Sequence, residues 1–399
     1  MPKPLKIAVD VRDLRLAKTG TRTYLEELCA AFKKLETDDL RFFFLDTSIP
    51  VYTGNNKLLK LAEHARYQFW KQAVLPLKAF FNGCDVVFCT DNFVPLIHLG
   101  YKTIPVFHDA FFFETPQNYG SLWLWLYKKT AIPAAKRSPF VITPSAWAKK
   151  QINYYTAIDN EKLVVIPEGP KTLGDKPHPT LPGREGFLKV SPTGGDLEGA
   201  PVNDSKQLLK SFSLSPRSYI LHVGSMFKRK NIPALIHAFS KVKASGYPEL
   251  KLVLAGPAPS TQIDTDNQLI TDAIAETNLQ QDIILTGYLS NAALGQLYKN
   301  ALVYVFPSIN EGFGIPVLEA FSYGLPVLVA NNTCLPEVGG DAVLLFDPFD
   351  TDDMSSKIKN VLDDGQLRKD MSSKGTERLK LFSWHNTALQ LIDVFRKAV

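Results

Sequence analysis

The chain has 399 residues, 45% of them hydrophobic and 21% charged, with 45 Lys and Arg against 40 Asp and Glu. That length exceeds one ordinary core and points to two domains of a soluble globular protein. A formal charge of +5, scattered except at Lys228-Arg229-Lys230, argues against a nucleic-acid binder.

Short apolar runs alternate with longer amphipathic ones along the chain. "MPKPLKIAVDV" runs directly into a first strand (6–11) and leaves no room for a signal peptide. After the loop "RLAKTGTR", "TYLEELCAAFKKL" sets Tyr24, Leu25, Leu28, Ala31 and Phe32 on one helical face. Further strands are expected at 40–46, 85–90, 103–109, 140–145 and 162–169. Residues 170–215, rich in Pro, Gly and Asp, read as a linker between domains. The alternation then resumes: strands at 218–224, 250–256, 282–288, 302–308 and 326–330, a helix opening at Asn231, and another capped by Ser290. Continuous apolar strands separated by helices predict two doubly wound parallel-sheet α/β domains, 1–169 and 216–382. The last helix, from Ser383, carries Trp384, Ala388, Leu391, Ile392 and Phe395 on one stripe.

Cys29, Cys84, Cys89 and Cys334 form no CxxC pair and sit beside no histidine at ligand spacing, which suits reduced thiols in a cytoplasm. No run of about eighteen apolar residues occurs, so a membrane-spanning helix is not expected. The stretch 121–137, with Trp123, Trp125, Tyr127, Lys128, Lys129, Lys136 and Arg137, reads two ways. It is a membrane-surface or acceptor-binding helix, or a core-facing helix with a basic outer side.

"SINEGFGIPVLEAFSYGLPV" (308–327) carries the strongest chemical signal. Gly312 and Gly314 let the backbone turn at the strand end, and Pro316 suits the start of a helix. That helix N-terminus points out at the carboxyl end of the sheet and favours an anion such as phosphate. Glu311 and Glu319 are then either dipole-complementing acids or acceptors for the hydroxyls of two sugar rings. A nucleotide-sugar offers both rings with a diphosphate between them. "VGSMFKRKN" supplies a second strand–loop–helix passing through Gly224, with Arg229 and Lys230 at its mouth. Alone it reads as a solvated basic turn; beside the first site it reads as a diphosphate clamp. No metal site is expected. Asp46, Asp91 and Asp109 lack DxD spacing, and Asp264/Asp266 and Asp350/Asp352 lie in polar segments away from these motifs.

These residues, with "GYLS", "LYKN", "LPEVGG" and the terminal "FSW", resemble retaining glycosyltransferases of family 4, which have the GT-B fold. The resemblance covers nearly all of 215–399 and extends more loosely to "HD" (108–109), "VITPSAWAKK" and "VVIPEG". It implies that Glu311 contacts the transferred sugar and Glu319 the ribose. Gly312, Phe313 and Gly314 would lie near sugar and phosphate, Arg229 and Lys230 on the diphosphate, and His108 near the donor sugar across a cleft between the domains. It also implies that the helix 383–399 crosses back onto the N-terminal domain. Two departures stand out: the first loop keeps Gly20 but has Arg22 where a second glycine is usual, and Ser225 follows Gly224 where relatives often carry an arginine.

The expected function is therefore a cytoplasmic enzyme, with a place at the inner membrane face left open, that moves a hexose with retention. The donor is a nucleoside-diphosphate sugar, GDP-mannose by preference. The acceptor is a hydroxyl of a glycan or lipid-linked glycan in surface polysaccharide synthesis, and no cofactor or metal is needed. The alternatives are another GT-B sugar-nucleotide enzyme such as an epimerase, or a silent binding protein with the same fold. A dehydrogenase is disfavoured, because "VDVRDLRLAKTGT" lacks GxGxxG after the first strand.

Overall fold

The computed structural model describes residues 3–17, 20–47, 49–52, 54, 56–174, 205–257 and 265–399. Most of the expected linker, and Asp264, lie outside them. The described residues of Met1–Glu168 pack with Trp384–Val399 in one unit, and those of Gly169–Ser383 form the other.

In the first unit, β1 (Leu5–Asp10), β2 (Leu40–Leu45), β3 (Val86–Cys89) and β4 (Lys102–Pro105) make a parallel sheet in the order β2-β1-β3-β4. Ile7, Ala8, Val9, Val86, Val87 and Phe88 are fully buried, as strands covered on both faces must be. β4 is shorter than the sequence suggests. Its continuation forms only a bridge between Val106 and Ile142, beside a separate pair of β5 (Val141–Thr143) and β6 (Leu163–Val165). His108 therefore lies on a strand-end loop.

The stripe on the last helix, Trp384–Ala398, packs on the helix Gly20–Leu35. Phe395 meets Phe32 and Phe88 at ring distances of 6.1 and 5.2 Å, and Trp384 meets Tyr24 at 5.5 Å.

In the second unit, β7 (Tyr219–Val223), β8 (Lys251–Ala255), β9 (Ile283–Gly287), β10 (Val303–Phe306), β11 (Val327–Ala330) and β12 (Val343–Phe346) are all parallel. Their order, β12-β11-β10-β7-β8-β9, is the doubly wound dinucleotide-type order, with its switch point between β7 and β10. β12, an edge strand of three half-buried residues and the buried Phe346, is not among the strands expected from the sequence.

Ser290 caps its helix by accepting from the Ala293 N–H at 3.2 Å. Asn231 occupies its cap position but not the capping role. Its backbone is left-handed (φ 57°), and its side chain donates to the Pro348 carbonyl at 2.7 Å. Gly256 is required by close packing, since a Cβ there would sit 1.8 Å from the Gly224 carbonyl oxygen.

Candidate functional site

The switch point of the second unit gathers the motif residues. β10 ends at Phe306, and the chain turns through Ser308 to Gly314, whose φ of 99° and 3.0 Å Cβ approach to Leu335 require glycine. The helix Ile315–Ser322 starts there with Pro316 in its first turn.

β7 leads to a short turn of helix, Lys228–Lys230. The Ile309 N–H donates to the Arg229 carbonyl at 2.8 Å, which ties the two loops together. One carboxylate oxygen, Glu311 Oε1, collects three donors: Lys230 Nζ at 2.5 Å, Ser308 Oγ at 2.5 Å and an Arg229 guanidinium nitrogen at 3.1 Å. Lys230 is only 6% exposed and Glu311 8%.

Burial pushes the Glu311 carboxyl up, but Lys230, Arg229 and Ser308 more than reverse this and hold it below the usual range. Burial depresses the Lys230 ammonium; Glu311 raises it, Arg229 lowers it, and the net direction is downward. Two cations thus meet on one buried carboxylate oxygen.

Glu319, 5% exposed, sits on the same helix and accepts from the Tyr298 hydroxyl at 2.7 Å. The Tyr298 ring stacks on Tyr323 at 5.6 Å. Gly312 and Phe313 occupy the turn, and the Cys334 thiol donates to the carbonyls of Glu311 and Phe313 at 3.3 and 3.2 Å. His222 lies beneath: Nδ1 donates to the Val305 carbonyl at 3.0 Å, and burial holds its imidazole down at about 4.

Gly20 and Arg22 belong to the first unit, in the opening turn of the helix Gly20–Leu35. Arg22 pairs along the helix with Glu26 at 3.0 Å. His108 lies in the same unit. Its Nε2 is 3.0 Å from the Thr90 carbonyl and its Nδ1 is 3.3 Å from Glu168.

A second charged cluster, not assembled from the sequence, occupies the switch point between β1 and β3. Lys71 Nζ lies 2.5 Å from both Asp10 and Asp91. The Tyr67 hydroxyl donates to Asp91, the Trp70 indole to Asp10 at 3.0 Å, and Arg12 pairs with Glu63. Lys71 and Trp70 sit on a π-turn, a local widening common at functional sites. Burial, then the charge of Asp91, pushes the half-buried Asp13 carboxyl up to about 7.

Asp10, Cys89 and Asp91 bring donor atoms within 4.8 Å of one another. They do not suit a metal, because Lys71 already supplies the cation and burial keeps the Cys89 thiol protonated. Of the DxD spacings, Asp350 caps the helix Thr351–Asp363 and Asp352 pairs with Lys241 at 2.7 Å. In the stretch 121–137, Trp123 and Tyr127 pack with Phe93 and Phe112, while Leu122, Trp125, Lys128 and Lys129 are exposed, so the inner side faces the core and the outer side is both apolar and basic.

Sequence reading missed Ser308, Tyr298, Glu168, Asp10 and Lys71 as members of clusters. The available signal was a charge inside an apolar run, as at Lys71 in "FWKQAVLPL".

Residues 205–378 match the family of glycosyl transferases group 1. The O-antigen chain mannosyltransferase B of Escherichia coli is 27% identical over 333 residues, 84% of this chain and 78% of that protein. The serotype-specific mannosyltransferase WbdA of Escherichia coli is 25% identical over 383 residues, 94% of this chain. The chain spans only 43% of WbdA's length.

Among solved structures, sucrose-phosphate synthase from Thermosynechococcus elongatus superposes with a TM-score of 0.68 at 17% identity, covering 98% of both chains. Anabaena HepE, solved with UDP and glucose, gives 0.67 at 16% identity over 98% of this chain and 99% of that one. The chain thus has the GT-B architecture of two Rossmann-like units, and the matched family and the mannosyltransferase relatives agree on a glycosyltransferase.

Proposed function

We propose that this protein is a retaining, metal-independent mannosyltransferase of surface polysaccharide synthesis, using GDP-mannose and a hydroxyl of a glycan or lipid-linked glycan. The observation that carries the reading is the cluster of Glu311, Lys230, Arg229 and Ser308 at the end of β10, next to a helix N-terminus. Arg229, Lys230 and the helix end take the diphosphate, Glu311 a hydroxyl of the transferred sugar and Glu319 the ribose. The relatives' printed activities support mannose.

In the transfer the C1–O bond to the diphosphate breaks and a bond from C1 to the acceptor oxygen forms on the same face. The acceptor proton passes to the leaving phosphate oxygen. Lys230 and Arg229 stabilise the charge that gathers there. Glu311 is not the nucleophile, because hydroxyl binding already accounts for it. The acceptor lies on the first unit, and the enzyme works in the cytoplasm, at the inner membrane face when its acceptor is lipid-linked.

The test is a panel of nucleotide-sugars incubated with and without glycan and lipid-linked acceptors, in buffer and in EDTA. GDP release from GDP-mannose only with acceptor, unchanged by EDTA, is the expected result. Donor turnover without acceptor would point to the epimerase class, and no turnover to a binding protein. Loss of activity in EDTA, restored by magnesium or manganese, would overturn the metal-free clamp.

A further inference from the structure

The helix Lys57–Phe69, the π-turn Trp70–Val74 and the helix Leu75–Phe81 follow one another without a break as one helical rod of the first unit. Its inner side is fixed: Trp70, Lys71, Leu75 and Ala79 are buried. Its outer side is apolar. Leu58, Leu61, Ala65 and Phe69 recur at spacings of three and four, which puts them on one helical stripe. Phe69 and Leu77 are eight positions apart, which in a regular α-helix would carry Leu77 about 80° off that stripe. The π-turn absorbs one residue, so the two fall about two α-helical turns apart. The stripe then continues through Leu77, Phe80 and Phe81.

Leu58 is 77% exposed, Phe69 63% and Phe81 80%. Lone exposed apolar residues are ordinary, but large ones aligned along one rod mark a surface that something apolar covers. The outer side of 121–137 is smaller, with Leu122 and Trp125 as its exposed large apolar residues.

The charges identify the cover. Of the thirteen exposed residues in 58–81, nine are apolar, Lys60, Arg66 and Lys78 are basic, one is His64 and none is acidic. The one acid of the rod, Glu63, is buried and pairs with Arg12 and Arg66. Arg66 and Lys78 also donate to the carbonyls of Pro50 and Asp46, at 2.6 and 2.8 Å, and hold the loop of the exposed Ile49 beside the rod. A second copy docking through this face would set basic groups against basic groups. An anionic lipid surface offers hydrocarbon to the leucines and phenylalanines and phosphates to the cations.

We propose that the rod 57–81 is a membrane-docking face that seats the first unit on an anionic bilayer. Leu58, Phe69, Leu77 and Phe81 enter the boundary between headgroups and acyl chains, and Lys60, Arg66 and Lys78 meet the lipid phosphates. The face stands apart from the transferase reading, and its docking requires no nucleotide-sugar.

The test measures co-sedimentation of the full chain with vesicles of phosphatidylcholine alone and of equal parts phosphatidylcholine and phosphatidylglycerol, at low and high salt. The wild type should bind the anionic vesicles best, and less as salt rises. Leu77→Ser with Phe81→Ser should lower the partition coefficient about a hundredfold, tenfold for each apolar side chain kept out of the bilayer. Lys60→Gln should lower it about fivefold. All three positions are exposed, so the variants should unfold at the wild-type temperature.

A wild type that stays in solution beside anionic vesicles overturns the proposal. So does a Leu77→Ser, Phe81→Ser variant that binds as the wild type does. A wild-type dimer that the same two substitutions split also overturns it, because the face then belongs to a second copy. A wild type that binds vesicles but consumes no nucleotide-sugar overturns the transferase reading and leaves the docking face standing.

Discussion

Lys71 and Lys230 are both buried ammonium groups at the carboxyl ends of parallel strands, one in each unit, and the charges that they meet differ. Lys71 stands between two carboxylates, Asp10 and Asp91. Lys230 shares the single carboxylate of Glu311 with Arg229. Burial pulls both ammonium groups down. At Lys71 the two carboxylates overcome it, and the group holds its proton well above the ordinary lysine range. At Lys230 Arg229 works against Glu311, and the direction stays downward. The same place on the same kind of sheet therefore yields two chemistries. Two cations on one carboxylate suit a diphosphate, whereas two carboxylates on one cation suit hydroxyl donors and repel anions.

The sharpest way to break this comparison is to remove Lys71. Lys71→Met leaves Asp10 and Asp91 buried without their cation and should destabilise the first unit by about 3–5 kcal/mol. Chemical denaturation would show it. A variant as stable as the wild type would mean that the carboxylates are not charged together. In the second unit, the paired change Arg229→Ala and Lys230→Ala removes both cations. It should lower kcat by roughly a hundredfold or more, about 2.7 kcal/mol of barrier, in a protein that still unfolds cooperatively. Full transferase activity in that folded variant would sink the clamp.

Glu319 tests the hydroxyl side of the same site. Glu319→Ala should weaken nucleoside-diphosphate binding by about 1–3 kcal/mol, measured by calorimetry. An unchanged dissociation constant would take Glu319 away from the ribose.

The smallest effect belongs to Asp13. Its folded value is raised to about 7, so the stability linked to its proton is present below about 4 and is lost as pH rises through 7. Asp13→Asn should therefore raise the melting temperature more at pH 8 than at pH 4. Equal shifts at both values would separate Asp13 from the Asp91 charge.

Local physics made one part of the protein readable. The apolar runs marked β1, β3, β7 and β10, because a strand buried on both faces must be apolar throughout. The glycine turn and the Pro316 helix start showed in "EGFGIP" for the same reason: backbone conformation and helix entry are set by a few adjacent residues. Glu311 stood out as a carboxylate on that glycine turn, whereas Lys230 alone reads as part of a solvated basic turn and His108 was marked through the family resemblance.

What the chain could not spell out was who meets whom. Glu311 and Lys230 are 81 positions apart, and His108 and Glu168 are 60 apart. Lys71 lies in an apolar helical run whose orientation alone decides that its ammonium reaches Asp10 and not solvent. In the stretch 121–137 the pattern did not say which aromatic rings turn inward, and packing puts Trp123 against Phe93 and Phe112 and leaves Trp125 exposed. Hydrophobic periodicity specifies that a face is buried, not which strand or helix covers it. Sheet order and register make that choice, so the pairing of charges was decided only by the tertiary structure.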